Sequence, residues 1–389
     1  MLFSPQPPSP SVSGADSAAA SVRFRDGVYI AAGEGPGIWC DVAHRRDLCF
    51  ASSAQVLRVL RGSDSLLCSE RSFRLYEALH DGAKKPPSAL LSPTGRPFQL
   101  GALRIELFPS GHLPGAASLW VRGPDGGEIV YAGAPNPASR STAEPMQVRS
   151  ADCLIVQAPI AASPVDLPTP DAALQALSAE LAQALHDGST CVVLCSGLTT
   201  APELIHALRT QGLLPPSSQR TGAAPSLLAH AQIVQACAAY RRVGALPDHL
   251  PMSALSLRRA GGALPPGGVL FWPLTASLDG LAALTANASA NGPAGGAIAS
   301  NVRVVFCSAL ALLPEVVAAV TTGLAQIGLS APRLLPYPDS IDRSGLVRYV
   351  RDTGCRQVFL TAGSCDELAQ ALRPAACSPL GPPSQLHLF

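Results

Sequence analysis

The hydrophobic pattern of this chain changes at a proline-rich junction, Pro159 to Pro170, and that change restricts the folds it can adopt. Before the junction, short apolar segments separated by tight turns are typical of strands, as in Leu103 to Phe108. Two more such segments, Ser118 to Arg122 and Glu128 to Ala132, flank the turn at residues 124–127, which predicts a hairpin. After the junction, strands alternate with helices, the pattern of an α/β protein.

Helical spacing and fully apolar runs predict the individual elements. The predicted helices are Ser69 to Leu79, Ala172 to His186, Ala201 to Gln211, Leu228 to Arg242, Leu313 to Ile327 and Ser344 to Thr353. The predicted strands of the second half are Cys191 to Cys195, Gly268 to Trp272, Val302 to Cys307 and Gln357 to Thr361. The Ala-, Asn- and Gly-rich stretch from Ala276 to Asn301 is predicted to be a loose surface loop.

Composition excludes some classes of protein. With 389 residues, of which 47% are hydrophobic, the chain is long enough for two sizeable cores. Its apolar runs are too short to span a bilayer, and its first 21 residues, rich in Pro and Ser, do not resemble a secretory signal. The 11 cysteines include no CxxC pair, so we expect reduced core cysteines in a cytoplasmic protein without a membrane partner. The net charge is +1, and the Lys and Arg residues form no basic stripe along the sequence. Charge therefore neither indicates nor excludes nucleic-acid binding.

One segment is similar to the metallo-β-lactamase/β-CASP nucleases. From Phe108 to Ala134 the chain follows the family order of strand, Gly-His loop, small-residue turn, strand, hairpin and strand. Gly111-His112 occupies the Gly-His place, and Ala132-Gly133-Ala134 occupies the place of Thr-Gly-Asp. This segment most resembles the bacterial branches of ligase-associated DNA exonucleases and messenger-RNA 3′-end-processing exonucleases.

Two later segments resemble the same family in the same order. Cys191 to Gly212 is similar to the strand and helix that open the β-CASP cap, and Asp339 to Gly363 to the closing helix and strand. The resemblance implies an α/β fold: a metallo-β-lactamase αββα sandwich with an inserted α/β β-CASP-like cap domain. It divides the chain into a disordered tail (1–24), a discontinuous sandwich (25–165 and 330–375), a cap (166–329) and a proline-rich tail (376–389).

The metal ligands of that family are nearly all missing. Its nucleases use two zinc ions, each held by at least three imidazole or carboxylate ligands. The resemblance places the main ligand loop at residues 50–55, which contain neither His nor Asp, and retains one later ligand, His112. The degenerate site positions are Phe50, Ser52, Ala54, Gln55, His112, Ala134, Gln157, Ser340 and Ala362. Because one imidazole cannot hold two dications, we expect no zinc cofactor and assign no catalytic residue.

The remaining polar residues allow simpler interpretations. His112 can donate to a backbone carbonyl in its own turn. Asp339 and Asp342 flank Ser340, but Asp342 stands where the following helix needs an N-cap. A new catalytic site without metal stays open as an alternative. Its possible nucleophiles are Ser52, Ser53 and Ser110, and its possible acids are Asp41, Asp47 and Glu70.

The last five residues, Gln385, Leu386, His387, Leu388 and Phe389, resemble the pentapeptide Gln-Leu-Ser/Asp-Leu-Phe by which bacterial polymerases and repair proteins dock on the sliding clamp. In an extended segment, Leu388 and Phe389 would enter an apolar pocket while the Gln385 amide sets the register. The same alternation also fits a final β-strand packed on the protein.

Two function hypotheses follow. The first is a non-catalytic pseudo-nuclease that serves as a binding or scaffold subunit in bacterial DNA replication or repair. It would be recruited to the sliding clamp through its tail, and its other partners would be an active β-CASP paralogue or a repair polymerase or ligase. The second is an active exonuclease or phosphodiesterase, acting on DNA or RNA, whose metal site is rebuilt from other residues.

Overall fold

The computed structural model describes residues 20–24, 26–32, 37–42, 44, 46–57, 65–80, 88–213, 227–247, 267–290 and 302–381. In this part of the chain the strands form three sheets. Two sheets pack face to face, and the third is formed by a segment inserted between strands of the second. Helices accompany all three sheets, so the predicted α/β class is confirmed.

The first sheet contains six strands in chain order. They are β1 (Ala20–Phe24), β2 (Val28–Ala32), β3 (Ile38–Cys40), β4 (Leu48–Phe50), β5 (Ser65–Ser69) and β6 (Ser88–Ser92). The strands β1 to β3 pair antiparallel, and β3 to β6 pair parallel.

The second sheet contains seven strands. They are β7 (Phe98–Leu100), β8 (Leu103–Pro109), β9 (Ala117–Arg122), β10 (Glu128–Gly133), β11 (Cys153–Gln157), β17 (Gln357–Ala362) and β18 (Ala376–Pro379). They lie side by side in that order. The strands β7 to β10 pair antiparallel, whereas β10, β11, β17 and β18 are parallel. The strands predicted from Leu103 to Ala132 are therefore present, with their hairpin.

These two sheets share one apolar core. Phe50 of the first sheet packs edge-on against Tyr131 of the second, with ring centroids 6.1 Å apart. Both side chains are almost fully buried, and burying a side chain of this kind contributes about 1.5–3 kcal/mol. Outside the first sheet lies α2 (Glu70–Leu79), and outside the second lies α8 (Arg343–Thr353). The layers therefore run helix, sheet, sheet, helix.

The third sheet is parallel throughout. Its strands are β12 (Thr190–Cys195), β13 (Leu227–Ala229), β14 (Val269–Pro273), β15 (Val302–Cys307) and β16 (Arg333–Leu335), in the order β13-β14-β12-β15-β16. One face packs against α3 (Pro170–His186), α4 (Ala201–Thr210) and α5 (Ala231–Arg242), and the other against α6 (Asp279–Ala290) and α7 (Pro314–Gln326). The central strand β12 is buried on both faces, which explains its unbroken apolar sequence.

The third-sheet unit is attached to the outer helix of the first sheet. On α5, the Gln235 amide donates to the Leu79 carbonyl at the end of α2, and Arg242 donates to the Ala78 carbonyl at 3.5 Å. Leu75 of α2 also belongs to the same apolar cluster as Leu208 of α4. The inserted segment therefore packs directly on the sandwich.

Two predictions about local structure were wrong. The helix predicted from Leu228 to Arg242 begins at Ala231, because Leu227–Ala229 pairs with β14 as a short edge strand. The loop predicted from Ala276 to Asn301 contains α6, because its alanines favour a helix more than its Asn and Gly residues oppose one. Asp342 is the N-cap of α8, as predicted, and accepts from the Gly345 N–H at 2.8 Å.

Three predicted boundaries also shift. The strand β1 lies within the segment 1–24 predicted as a disordered tail, where it pairs with β2. The strand β16 belongs to the third sheet although residue 330 was placed at the return to the sandwich. The strand β18 extends the second sheet into the segment 376–389 predicted as a tail, and Leu380 after it is buried. Among the described residues, no helix is long and apolar enough to cross a membrane.

Candidate functional site

The loops that follow several strands meet at one edge of the two facing sheets. Because β8 and β10 are both antiparallel to β9, they point the same way, and β11 and β17 are parallel to β10. From the first sheet, the loop after β4 reaches the same edge. A Cβ added to Gly133 would lie 3.0 Å from the side chain of Ser52, and Gly133 has a φ of +62°. Glycine is therefore favoured at position 133, where the end of β10 lies against the loop after β4.

A cavity of about 310 Å³ opens at this edge. It is lined by Asp41, Ser52, Ser53, Gln55, Val56, Ser110, His112, Ala116, Ala134 and Gln157. We call it the edge pocket. Five of the nine degenerate positions identified in the sequence line it, namely Ser52, Gln55, His112, Ala134 and Gln157. The fold thus brings residues from distant parts of the chain, such as Ser52 and Gln157, to one cavity.

The other four positions lie outside the lining. Phe50 and Ala54 are buried in the apolar cores below the pocket, at 0% and 1% exposure. Ala362 pairs with Gln157 at the ends of β17 and β11, so it lies beside the pocket. Ser340 lies in the loop before α8, between two buried residues.

Asp41 is the acidic side chain of the edge pocket. It adopts a left-handed backbone conformation with a φ of +50°, which costs a non-glycine residue about 1–2 kcal/mol. In this conformation its carboxylate accepts from the Ser52 N–H at 2.8 Å, the Ser52 hydroxyl at 2.6 Å and the Tyr131 hydroxyl at 3.0 Å. Burial raises the pKa of Asp41, and these hydrogen bonds oppose that effect. Asp41 therefore fixes the loop after β4 to the second sheet.

The acid site considered from the sequence does not assemble. Asp47 is exposed, and Glu70 is an exposed residue of α2 that pairs with Arg74. Neither of them lines the edge pocket, so Asp41 is the one of these three acids that does. The three candidate serines, Ser52, Ser53 and Ser110, do line it.

His112 contributes the imidazole of the pocket. Its Nδ1 is buried and has no hydrogen-bond partner, so the expected bond to a carbonyl is not made at that atom. Burial, and then the positive charge of Arg140, lower the pKa of His112 to about 4. The ring is therefore neutral at neutral pH, with an unsatisfied polar atom of a kind that costs about 1–3 kcal/mol when buried.

The lining does not fit a binuclear zinc centre. Each zinc ion at a catalytic site needs about three protein ligands, and the lining contains one carboxylate and one imidazole. No group of three His, Cys, Asp or Glu side chains suitable for a metal occurs in the described ranges. Both oxygens of Asp41 already accept hydrogen bonds.

A buried ion pair connects the pocket loop to the third-sheet unit. Arg140 lies 2.6 Å from Glu203 of α4, with side chains 3% and 7% exposed. Arg140 also donates to the Thr199 carbonyl and, at 3.5 Å, to the His112 carbonyl. The Ser141 N–H donates to Glu203 at 3.1 Å. Sequence patterns do not reveal this pair, because no local pattern connects two residues in different units.

Asp339, next to Ser340, is also buried. Its carboxylate accepts from the Thr200 hydroxyl at 2.7 Å, the Ser308 hydroxyl at 3.1 Å and the Ala309 N–H at 2.9 Å. Burial raises the pKa of Asp339, and these hydrogen bonds act in the opposite direction. Since Thr200 and Ser308 follow β12 and β15, Asp339 links the ends of two central strands of the third sheet. The clamp-like pentapeptide Gln385 to Phe389 lies outside the described residues.

Comparisons with known proteins identify the fold alone. No protein family matches the chain, and no curated protein matches its sequence. Among solved structures, the chain is similar to a crystal structure of a protein of unknown function from Enterococcus faecalis V583. The identity is 11% and the TM-score 0.53, and the match covers 93% of this chain and 98% of the other. The two proteins share a fold over nearly their whole length.

Proposed function

We propose that this chain is a non-catalytic homologue of the metallo-β-lactamase/β-CASP nucleases, a binding subunit whose edge pocket has replaced the metal centre. The observation that carries the proposal is the convergence of Ser52, Gln55, His112, Ala134 and Gln157 on one cavity. The resemblance implies that all five belonged to one metal centre, and their common cavity supports that implication. The helix, sheet, sheet, helix layering and the inserted parallel sheet support the same family.

The side chains of the pocket support binding over metal-dependent hydrolysis. Two zinc ions generate the nucleophile and neutralise the scissile phosphate in such nucleases. Here four of the five converging positions carry Ser, Gln or Ala, which supply neither negative charge nor a strong metal ligand. Zinc is therefore not part of the proposal, and the alternative of a rebuilt metal site has no cluster of ligands in the described ranges to support it.

The chemistry of the lining favours an uncharged, hydroxyl-bearing ligand. Among the described residues that line the pocket there is no Lys or Arg, and Asp41 would repel an anion. The remaining polar groups are hydroxyls, two amides and the neutral imidazole of His112. A ligand hydroxyl can both donate and accept, so it can pair with a ring nitrogen of His112 in either tautomer. A volume of about 310 Å³ lies at the lower end for small-molecule sites and fits one sugar ring.

The proposal includes recruitment to a sliding clamp through Gln385 to Phe389. Its basis is the resemblance of the pentapeptide. The described chain reaches Gly381 at the edge of the second sheet, after β18, and Gln385 follows four residues later. An active β-CASP paralogue, or a repair polymerase or ligase, would be the protein that this subunit accompanies.

Elemental analysis and nuclease assays on the purified full chain test the loss of metal chemistry. We expect less than one zinc per chain and no metal-dependent degradation of single- or double-stranded DNA or RNA. Two tightly bound zinc ions per chain that are lost in His112→Ala would overturn the proposal. So would nuclease activity that disappears in the same variant.

A titration with ribose and ribose 5-phosphate, followed by the NMR signals of the His112 ring, tests the ligand class. Both are used as their methyl furanosides, so that the ring form is the same and the two sugars differ only in the phosphate. We expect ribose to shift the His112 signals and ribose 5-phosphate to bind more weakly. Gln157→Ala should weaken ribose binding. The matched control, Gln99→Ala, changes an exposed residue outside the lining and should leave ribose binding unchanged. Tighter binding of the phosphorylated sugar would refute the charge argument.

A further inference from the structure

Two of the eleven cysteines differ from the rest in their surroundings. Eight cysteines are buried, and only Cys153, Cys365 and Cys377 are partly exposed. Cys365 is the first residue of α9 (Cys365–Leu368), directly after β17. Cys377 lies in β18, paired with Val358 of β17. Since α9 packs against β18 and both side chains lie against the same apolar cluster, the two partly exposed thiols lie close to each other.

We propose that Cys365 and Cys377 form an oxidation site, at which a peroxide converts two neighbouring thiols into a disulfide. The site is separate from the edge pocket and does not depend on the proposed function. It needs two thiols in contact that solvent can reach, and in the described chain the remaining partly exposed cysteine, Cys153, lies on a different strand, β11.

The two thiols have different roles in the reaction. The hydrogen bond from Cys377 lowers the pKa of Cys365, with burial and the charge of Asp366 acting against it. The same hydrogen bond raises the pKa of Cys377. Because the thiolate is the nucleophile, Cys365 attacks first and Cys377 resolves the product.

The reaction balances with the peroxide as oxidant. The Cys365 sulfur attacks one peroxide oxygen, the O–O bond breaks, and the leaving oxygen takes a proton as an alcohol or water. Cys365 is then a sulfenic acid. The Cys377 sulfur attacks the Cys365 sulfur, the S–O bond breaks and a second molecule leaves as water. Two thiols have lost two electrons to the peroxide and gained one S–S bond, which a small thiol can reduce again by exchange.

The disulfide would join α9 to the edge strand of the second sheet. Reduced β18 is held to β17 by backbone pairing on one side only. A covalent bond from Cys377 to Cys365 would prevent β18 from separating from that edge. The bond would therefore fix the segment through which the chain leaves the second sheet.

Mass spectrometry on the full chain treated with hydrogen peroxide tests the proposal without any substitution. Trypsin leaves both cysteines on one peptide, residues 357–389, because Arg373 is followed by Pro374. After peroxide and then N-ethylmaleimide, we expect this peptide to carry no maleimide and to be about 2 Da lighter than its reduced form. A reducing agent should restore two maleimide sites. The pair should react roughly tenfold faster than Cys153.

Single substitutions assign the two roles. In Cys377→Ser, Cys365 should stop at a sulfenic acid that a cyclic 1,3-diketone traps, whereas in Cys365→Ser the trap should label neither position. Cys153→Ser is the control and should leave the disulfide unchanged. A peptide 357–389 that still carries two maleimides after peroxide has oxidised Cys153 would overturn the proposal. So would a disulfide from either cysteine to a third one.

Discussion

The hydroxyl of Ser52 donates to the carboxylate of Asp41 across 2.6 Å, and through this contact the loop after β4 is held against the second sheet. Tyr131, on that second sheet, donates to the same carboxylate at 3.0 Å. Ser52 is one of the positions where the resemblance implies a lost metal ligand. The side chain now at that position has a structural partner of its own, so its effect on stability can be measured.

Ser52→Ala should lower the free energy of unfolding by about 1.5–3 kcal/mol, the contribution of a hydrogen bond to a charged group. The neighbouring Ser53→Ala is the matched control, because Ser53 also lines the pocket and is buried but makes no described contact with Asp41. Urea unfolding measures both variants at neutral pH. Equal losses for the two serines would show that the Asp41 contact contributes nothing specific.

The lowered pKa of His112 predicts a pH dependence of stability. Its folded pKa is about 4 and its ordinary value 6.5, so between these values the unfolded chain binds the proton more strongly. The neutral ring's contribution to the free energy of unfolding is therefore fully present above about pH 6.5 and is lost as the pH falls toward 4. This pKa shift corresponds to at most about 3 kcal/mol in the free energy of unfolding.

Urea unfolding of wild type and His112→Gln between pH 4.5 and 7.5 measures this effect. The variant should lose less stability toward acid than the wild type, because Gln does not titrate. His186→Gln, an exposed change in the last turn of α3, serves as the control. Parallel curves for wild type and His112→Gln would contradict the prediction.

Glu203→Gln should destabilise the protein by about 3–5 kcal/mol, because it leaves the Arg140 charge buried without its partner. Arg140→Met combined with Glu203→Leu should recover much of that loss, since Arg140→Met removes the uncompensated charge. Glu180→Gln is the control: Glu180 pairs with Arg333, which is 67% exposed, and such pairs contribute about 0–1 kcal/mol. A loss in Glu203→Gln no larger than that of Glu180→Gln would contradict the prediction.

The clamp motif predicts binding with a dissociation constant in the micromolar range. Burying two or three apolar side chains contributes about 1.5–3 kcal/mol each, and ordering the tail on binding costs part of that free energy. The balance gives an affinity in the micromolar range. A fluorescence titration with a bacterial sliding clamp should show binding by the full chain and loss of binding in Leu388→Ala/Phe389→Ala. His387→Ser, which restores the usual third residue, should bind at least as well. Identical binding by the double variant would show that the tail is not the anchor.

Truncation after Ser384 separates docking from folding. We expect the truncated chain to unfold at the same urea concentration as the full chain, because the motif is proposed to act outside the fold. A large drop in the midpoint would favour the alternative considered from the sequence, a final strand packed on the protein.

The sequence predicted the local elements well where one hydrophobic period runs over many residues. The strand β12 and the helices α3 and α8 are examples, since burial of one or both faces leaves a clear pattern. Short edge strands were missed. Leu227–Ala229 and Ala376–Pro379 contain three and four residues, too few to establish a period, and each is defined by pairing with a distant strand.

The candidate site was predictable only through family resemblance. That resemblance placed Ser52, His112 and Gln157 together, although no local pattern connects them. Asp41 was considered only as one of three possible acids, because its role depends on a left-handed backbone and on Tyr131, 90 positions away. The pairing of Arg140 with Glu203 depends in the same way on how two units of the chain pack.

Most side chains of the edge pocket come from the carboxyl ends of β3, β4, β8, β10 and β11 or from residues that follow these strands, while the core of the sandwich is formed by alternate residues within the strands. Apart from Asp41 and Ser52, whose contact also holds the two sheets together, the positions that determine chemistry at the edge differ from those that form the core. Successive mutations in evolution can therefore change the pocket positions while selection for a stable fold acts on the core positions. Such a protein is a scaffold whose binding specificity can be redesigned by substitution at the pocket, with the interior sequence kept constant.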